Sequence, residues 1–137
     1  MNPEDLKRRT KQFALRILKL VAALPNTIQG RTIGGQLVRS GTAVGSNYRA
    51  SCRSRSKAEF VARIGVVEEE ADESAFWMEL IIEDELLKPQ QVEPLLSEAN
   101  ELAKIMASSR ISASATLARN RNSQLAIGNR KSAMTHG

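Results

Sequence analysis

The sequence predicts an all-α fold: an antiparallel up-down-up-down four-helix bundle that assembles as a homo-oligomer and ends in a disordered basic tail. Three observations carry this. Apolar residues recur three and four apart in four successive stretches, the period of a helix with one buried face. No stretch alternates β-branched and polar residues between turn signals, as a strand would. The connections between the periodic stretches are short, which favours antiparallel neighbours. The 137 residues, 42% of them hydrophobic, suit a single domain with a modest core. The bundle is expected over residues 1–113 and the tail over 114–137.

The first helix is predicted from about Pro3 to Leu24. Pro3 suits a first turn, and Glu4 and Asp5 suit the positive end of the helix dipole. Leu6, Thr10, Phe13, Ile17, Leu20 and Leu24 form its core face. Leu15, Leu18 and Ala22 make a weaker second stripe. Pro25-Asn26 ends the helix.

The second helix is predicted from about Thr32 to Cys52. Its inward positions (Ile33, Leu37, Ser40, Val44, Asn47, Ser51) include small and polar residues. Gly41 and Gly45 lie within it, and each costs about 1 kcal/mol relative to alanine. Close approach to a neighbouring backbone would offset that cost. Asn47 is expected to face inward as a hydrogen-bonded core amide that fixes register.

The third helix opens on Ser56-Lys57-Ala58-Glu59, a capping box. The Ser56 hydroxyl accepts from the Glu59 N–H, and the Glu59 side chain reaches back. Phe60, Ile64, Val67, Ala71, Ser74, Met78 and Ile81 continue the core face to about Leu87. Val66, Phe76, Trp77, Leu80 and Ile82 fall off that stripe, so this helix needs more than one partner surface. With the extra stripe of the first helix, this predicts a subunit interface of Leu15, Leu18, Phe76, Trp77 and Leu80.

The fourth helix starts near Gln90, after the turn at Lys88-Pro89. Val92, Leu95, Ala99, Leu102 and Met106 face the core, and Pro94 is expected in its first turn. The pattern fades near Ile111. Beyond residue 114 the chain is rich in Ser, Ala, Asn and Arg and has no acid, which reads as disorder.

Charge is laid out in blocks. Residues 1–67 carry 13 Lys/Arg and 3 Asp/Glu, residues 68–101 one and 12, and residues 102–137 six and none, giving +10, −11 and +6. Such blocks either neutralise each other between helices or subunits, or leave a basic surface for phosphates.

Much chemistry is excluded. One Cys permits no intrachain disulfide and points to a reducing, cytoplasmic setting, and no apolar run is long enough for a membrane span. His136 is the only histidine, which removes zinc sites and Ser-His-Asp or Cys-His catalysis. A di-iron bundle needs inward glutamates and Glu-x-x-His motifs. The inward positions Val67, Ala71, Ser74 and Met78 are not ligands, and Glu68 and Glu70 flank the core where ion pairs to a neighbouring helix are expected. Cys52, beside Arg49, Arg53 and Arg55, reads as a helix-end cysteine because no histidine base accompanies it. No glycine motif for nucleotide phosphates is present. The expectation is a protein with no catalytic residues, metal or cofactor.

The strongest functional signal is a basic constellation. Arg39, Ser46, Arg49 and Arg53 are spaced along one helix face expected to point outward, Arg55 and Lys57 continue through the turn, and Arg63 follows. The hydroxyls of Thr42, Ser51, Ser54 and Ser56 are interleaved. Guanidinium forks and hydroxyls grip phosphate oxygens without reading bases, and the start of the third helix adds anion-favouring N–H groups. The alternative is that these arginines pair with the acidic third helix of a neighbour. Tyr48 is the only aromatic nearby, so stacking on single-stranded bases has little support.

The run Leu37-Val38-Arg39-Ser40-Gly41-Thr42-Ala43-Val44-Gly45-Ser46-Asn47 resembles the signature of the four-helix bundle protein family, also called the 23S rRNA intervening-sequence protein family. Ser56–Phe60, Glu68–Ser74 and Trp77–Leu80 are similar to its third helix, and the resemblance covers about residues 6–112. Asn47-Tyr48-Arg49-Ala50-Ser51 departs from the family's Asn-x-x-Glu-Gly and marks a more basic branch. The resemblance implies an antiparallel bundle assembling as a homopentamer, without catalytic residues. It also implies a likeness in fold to the accessory variability determinant protein of diversity-generating retroelements, which partners a reverse transcriptase and binds nucleic acid through basic surface. Two functions are therefore expected for this chain. The first is an oligomeric, non-enzymatic bundle that binds RNA or DNA phosphates through Arg39, Arg49, Arg53, Arg55, Lys57 and Arg63, as an accessory of a ribonucleoprotein or reverse transcriptase. The second is a scaffold whose charged faces serve assembly and a protein client.

Overall fold

Four helices form the molecule: α1 (Pro3–Ala22), α2 (Ile28–Ser51), α3 (Lys57–Glu83) and α4 (Pro89–Thr135). The computed structural model describes the backbone of residues 1–135 and the side chains of residues 1–130, so His136 lies outside the described residues. No strand occurs among the described residues. Helix α1 packs on α2 and α4, and α3 packs on α2 and α4, so helices adjacent in the chain are adjacent in space and α1–α4 closes the ring.

Asn2 caps α1: its side chain accepts from the Asp5 N–H at 2.9 Å, and the Asp5 carboxylate accepts from the Asn2 N–H at 3.3 Å. Leu6, Thr10, Phe13, Ile17 and Leu20 are buried, so the four-three periodicity translates directly into a core face. Leu6, Phe13, Ile17 and Leu20 meet Leu37, Val44, Ile64, Met78, Leu102 and Met106 in one apolar cluster.

Helix α2 starts at Ile28 rather than Thr32. The Thr27 hydroxyl accepts from the Gly30 N–H at 3.1 Å and so starts the first turn earlier. A Cβ on Gly41 would lie 2.7 Å from Ile17 Cγ1, and one on Gly45 would lie 3.3 Å from the Thr10 carbonyl oxygen. These glycines let α1 and α2 approach closely, and the pairings 45 with 10 and 41 with 17 run the two helices in opposite directions.

Asn47 does not enter the core. It is half-buried, and its amide donates to the Ala43 carbonyl one turn back in the same helix at 2.9 Å. The inward stripe instead turns through Gly41, Val44, Tyr48 and Ser51. The buried polar link lies elsewhere, where the Ser40 and Ser74 hydroxyls meet at 2.9 Å between α2 and α3. Burial forces such hydroxyls to find partners, so this pair fixes how the two helices align.

Helix α3 buries Ile64, Val67, Ala71, Ser74, Ala75, Met78 and Ile81. Glu59 N–H donates to Ser56 Oγ at 3.1 Å, whereas the Glu59 carboxylate accepts from the Arg55 N–H at 2.9 Å rather than from Ser56. The helix ends at Glu83 instead of Leu87 because the chain turns left-handed at Glu85, φ 57°. Leu86 N–H then donates to the Ile81 carbonyl and Glu85 N–H to the Ile82 carbonyl, a Schellman closure.

Helix α4 corrects two expectations. Pro94 lies inside the helix beyond its first turn, at an exposed position where water can take the carbonyl its ring leaves unpaired. The expected disordered tail from residue 114 is helical through Thr135. Its polar composition contains Ala, Leu, Gln and Arg and no proline, so a helix begun in the bundle can continue beyond its partners. At 47 residues α4 is about 70 Å long, against about 30 Å for the 20 residues of α1. No described helix is long and apolar enough to cross a membrane.

Candidate nucleic-acid interface

The basic residues gather at one pole of the bundle. The glycine contacts bring the first half of α1 beside the second half of α2, and the short turn after Cys52 places the start of α3 there too. The opposite pole, where α3 ends and α4 begins, carries Glu79, Glu83, Asp84, Glu85 and Glu93 together with Lys19, Arg31 and Lys88.

The six predicted basic residues do not form one stripe. Arg39 turns toward α3: its guanidinium bonds Glu70 at 3.3 Å and also Glu73. Glu73 in turn accepts from the Trp77 indole N–H at 3.1 Å. Arg39 is therefore held by the acidic helix of its own chain. Arg63 pairs with Glu59 one turn back in α3, at 3.0 Å. The Glu59 carboxyl is held below the ordinary glutamate range, first by the Arg55 N–H and then by Arg63. Arg53, Arg55 and Arg63 surround this carboxylate in a shallow depression at the α2–α3 turn. Arg49, Arg53, Arg55 and Lys57 are exposed and make no ion pair among the described residues.

Arg49 has company that the sequence reading missed. It lines a groove between α1 and α2 with Lys7, Arg8 and Lys11, the hydroxyl residues Thr42 and Ser46, and a single acid, Glu4. Lys7 bonds Glu4 at 3.1 Å and Arg8 bonds Asp5 at 2.6 Å within their own turn of helix. Lys11 and Arg49 have no such partner among the described residues. A usable signal was present: Lys7 and Lys11 flank the α1 core stripe.

Three arginine–glutamate clasps tie the ring together: Arg9 to Glu98 (α1–α4), Arg39 to Glu70 and Glu73 (α2–α3), and Arg110 to Glu68 (α4–α3). Arg9 and Glu98 form a two-pronged pair, Nε at 2.8 Å and Nη2 at 2.7 Å, which raises the Arg9 pKa. Part of the opposite-sign charge is thus neutralised inside one chain. The interface candidates divide as well: Leu15, Leu18 and Phe76 are 46%, 45% and 49% exposed, while Trp77 and Leu80 are half-buried. Cys52 is the exposed C-cap residue of α2, and burial pushes the neighbouring Tyr48 phenol up. Among the described residues no three His, Cys, Asp or Glu side chains gather as metal ligands.

Ring-packed helices, clasped by arginine–glutamate pairs and rich in unpaired cations at one end, define a helical-bundle protein with a basic pole. Sequence comparison gives the class its family. The chain belongs to the 23S rRNA-intervening sequence protein family, whose model matches residues 4–108. It is similar to the crystal structure of a protein with unknown function from the S23 ribosomal protein family from Bacteroides thetaiotaomicron, with 30% identity and a TM-score of 0.72 over 77% of this chain and 97% of that one. No curated protein is similar enough to match the chain.

Proposed function

We propose that the protein is a non-enzymatic, homo-oligomeric up-down-up-down bundle that binds RNA or DNA phosphates at its basic pole. A pentamer is the assembly that the family resemblance implies. One observation carries the reading: Lys7, Arg8, Lys11 and Arg49 line one α1–α2 groove, and of these Lys11 and Arg49 make no ion pair among the described residues. Arg53, Arg55 and Lys57 extend the same pole across the α2–α3 turn. Cations in this arrangement hold phosphate oxygens and carry no base code, so binding should follow backbone shape and charge. The family's description supports structured rRNA as the first ligand to test. A ribonucleoprotein or reverse transcriptase then becomes the natural larger assembly, in the cytoplasm.

Retention of structured RNA at ~50 mM salt tests this, because phosphate contacts are strongest when counterions are dilute. Lys11→Glu combined with Arg49→Glu should weaken retention strongly and leave helix content unchanged. Absence of retention by the unmodified protein would contradict the proposal. A second reading, a protein-interaction scaffold, draws on Arg39, whose guanidinium is paired with α3 carboxylates of its own chain. Nuclease-resistant recovery of one protein partner would favour it.

A further inference from the structure

The end of α4 runs free of the bundle as a helical arm. Residues 118–130 are exposed throughout, and they lie beyond the residues 4–108 that match the family. The arm lacks the supports by which a helix stands alone. Leu125 and Ile127, two residues apart, point to opposite sides, so there is no apolar seam for another helix to cover. No acid follows Glu101, so the arm forms no ion pair with its own next turn. A helix this polar is marginal in water and gains most from a partner that answers its charge.

That charge is ordered along one face. Ser112, Thr116, Arg119, Ser123, Ala126 and Arg130 alternate four and three apart, which keeps them on a single side of the helix. Arg119 and Arg130, eleven residues apart, are three turns removed, about 16 Å along the axis and about 20° from alignment. The Thr116 hydroxyl accepts from Arg119 Nη2 at 3.2 Å and donates to the Ser112 carbonyl at 3.1 Å. Ser123 and Ala126 are small, so both guanidinium groups stand clear of their neighbours. Arg121 points to the far side. None of the three arginines makes an ion pair among the described residues.

The stripe is continuous with the basic pole. Arg110 bonds Glu68 at 3.1 Å, and α4 runs opposite to α3, so it passes the start of α3 about eleven residues later, near Arg121. The unpaired Arg53, Arg55 and Lys57 gather at that level. A stripe with cations, no acid and no apolar seam fits a polyanion better than the apolar centre of a protein interface.

We propose that the arm extends the nucleic-acid surface. Arg119 and Arg130 grip phosphates of the backbone held at the basic pole, and the helix is stabilised along it. This rests on the phosphate binding proposed above and deepens it with a second contact region. Such contacts carry no base code, so the arm adds affinity and footprint rather than sequence preference.

Salt titrations of full-length chains against an RNA hairpin and a DNA hairpin test the contact. Arg119→Gln with Arg130→Gln should make the slope of log affinity against log salt shallower by about two units. Arg121→Gln, on the far side, should leave the slope within about half a unit. Loss with either hairpin supports the contact, and the hairpin that shows it identifies the backbone. In the unmodified protein, amide exchange of residues 118–130 should slow at least about tenfold on binding. Exchange that stays fast in the complex would overturn the contact. Slopes that ignore Arg119 and Arg130 but respond to Lys11→Glu with Arg49→Glu would overturn it too, and would leave the pole standing. Equal losses at Arg119, Arg121 and Arg130 would mean unspecific charge and overturn the stripe. A smaller native mass of the double variant would assign the arm to self-association instead. No retention of either hairpin by the unmodified protein would overturn arm and pole together.

Discussion

Gly41 and Gly35 sit in the same helix and should answer an added methyl group in opposite ways. Nothing lies within 4 Å of the position a Gly35 Cβ would take, so Gly35→Ala should stabilise by about 1 kcal/mol through helix propensity alone. At Gly41 the new Cβ meets the stiff, fully buried Ile17 side chain at 2.7 and 2.8 Å. Overpacking costs about 1–3 kcal/mol, so Gly41→Ala should be a net loss of about 1 kcal/mol. Urea midpoints of the two variants check this pair. Glu85 gives a third prediction. It holds the left-handed closing position of α3, where glycine escapes a penalty of roughly 1 kcal/mol. Glu85→Gly should therefore raise the same midpoint, helped by loss of a negative charge at a helix C-terminus. Glu59 makes the molecule respond to pH. Its folded value lies below the ordinary one, so its contribution is present above the unfolded value and is lost as pH falls through the folded value. The first turn of α3 should loosen in that acid window, and Glu59→Gln should flatten the response when amide exchange of this turn is followed against pH.

At the scale of elements, the core was legible wherever large side chains carried the period. Every buried position of α1 could be read from the spacing of Leu6, Thr10, Phe13, Ile17 and Leu20. Helix α2 was harder because close packing there is done by residues without side chains to count. The true inward stripe passes through Gly30, Gly34 and Gly41, so Asn47 was placed on the wrong side by a rule that follows apolar bulk. The register pin lay in Ser40 and Ser74, two unremarked residues of the predicted stripes. Ser74→Ala should cost about 1 kcal/mol and remove most of the effect of a second change at Ser40, a coupling that a double-mutant cycle measures. Helix α4 was cut short because fading amphipathicity signals the loss of a partner, not the loss of the helix. Gly128→Pro should accordingly reduce the far-UV helix signal while leaving the unfolding midpoint of the bundle unchanged.

For the whole molecule, the charge blocks were legible but their allocation was not. Linear spacing grouped Arg39 with Arg49, although opposite-charge contacts that depend on helix packing draw Arg39 to α3. The same packing brings Lys7, Arg8 and Lys11 from the other end of the sequence to Arg49. The candidate site is thus a property of the α1–α2 interface. The salt dependence of equilibrium binding to a structured RNA is its most direct test. The account predicts a linear fall of log affinity with log salt, and a slope shallower by about two units when Lys11 and Arg49 are both reversed. Affinity absent at ~50 mM salt, or indifferent to salt across the series, would contradict it.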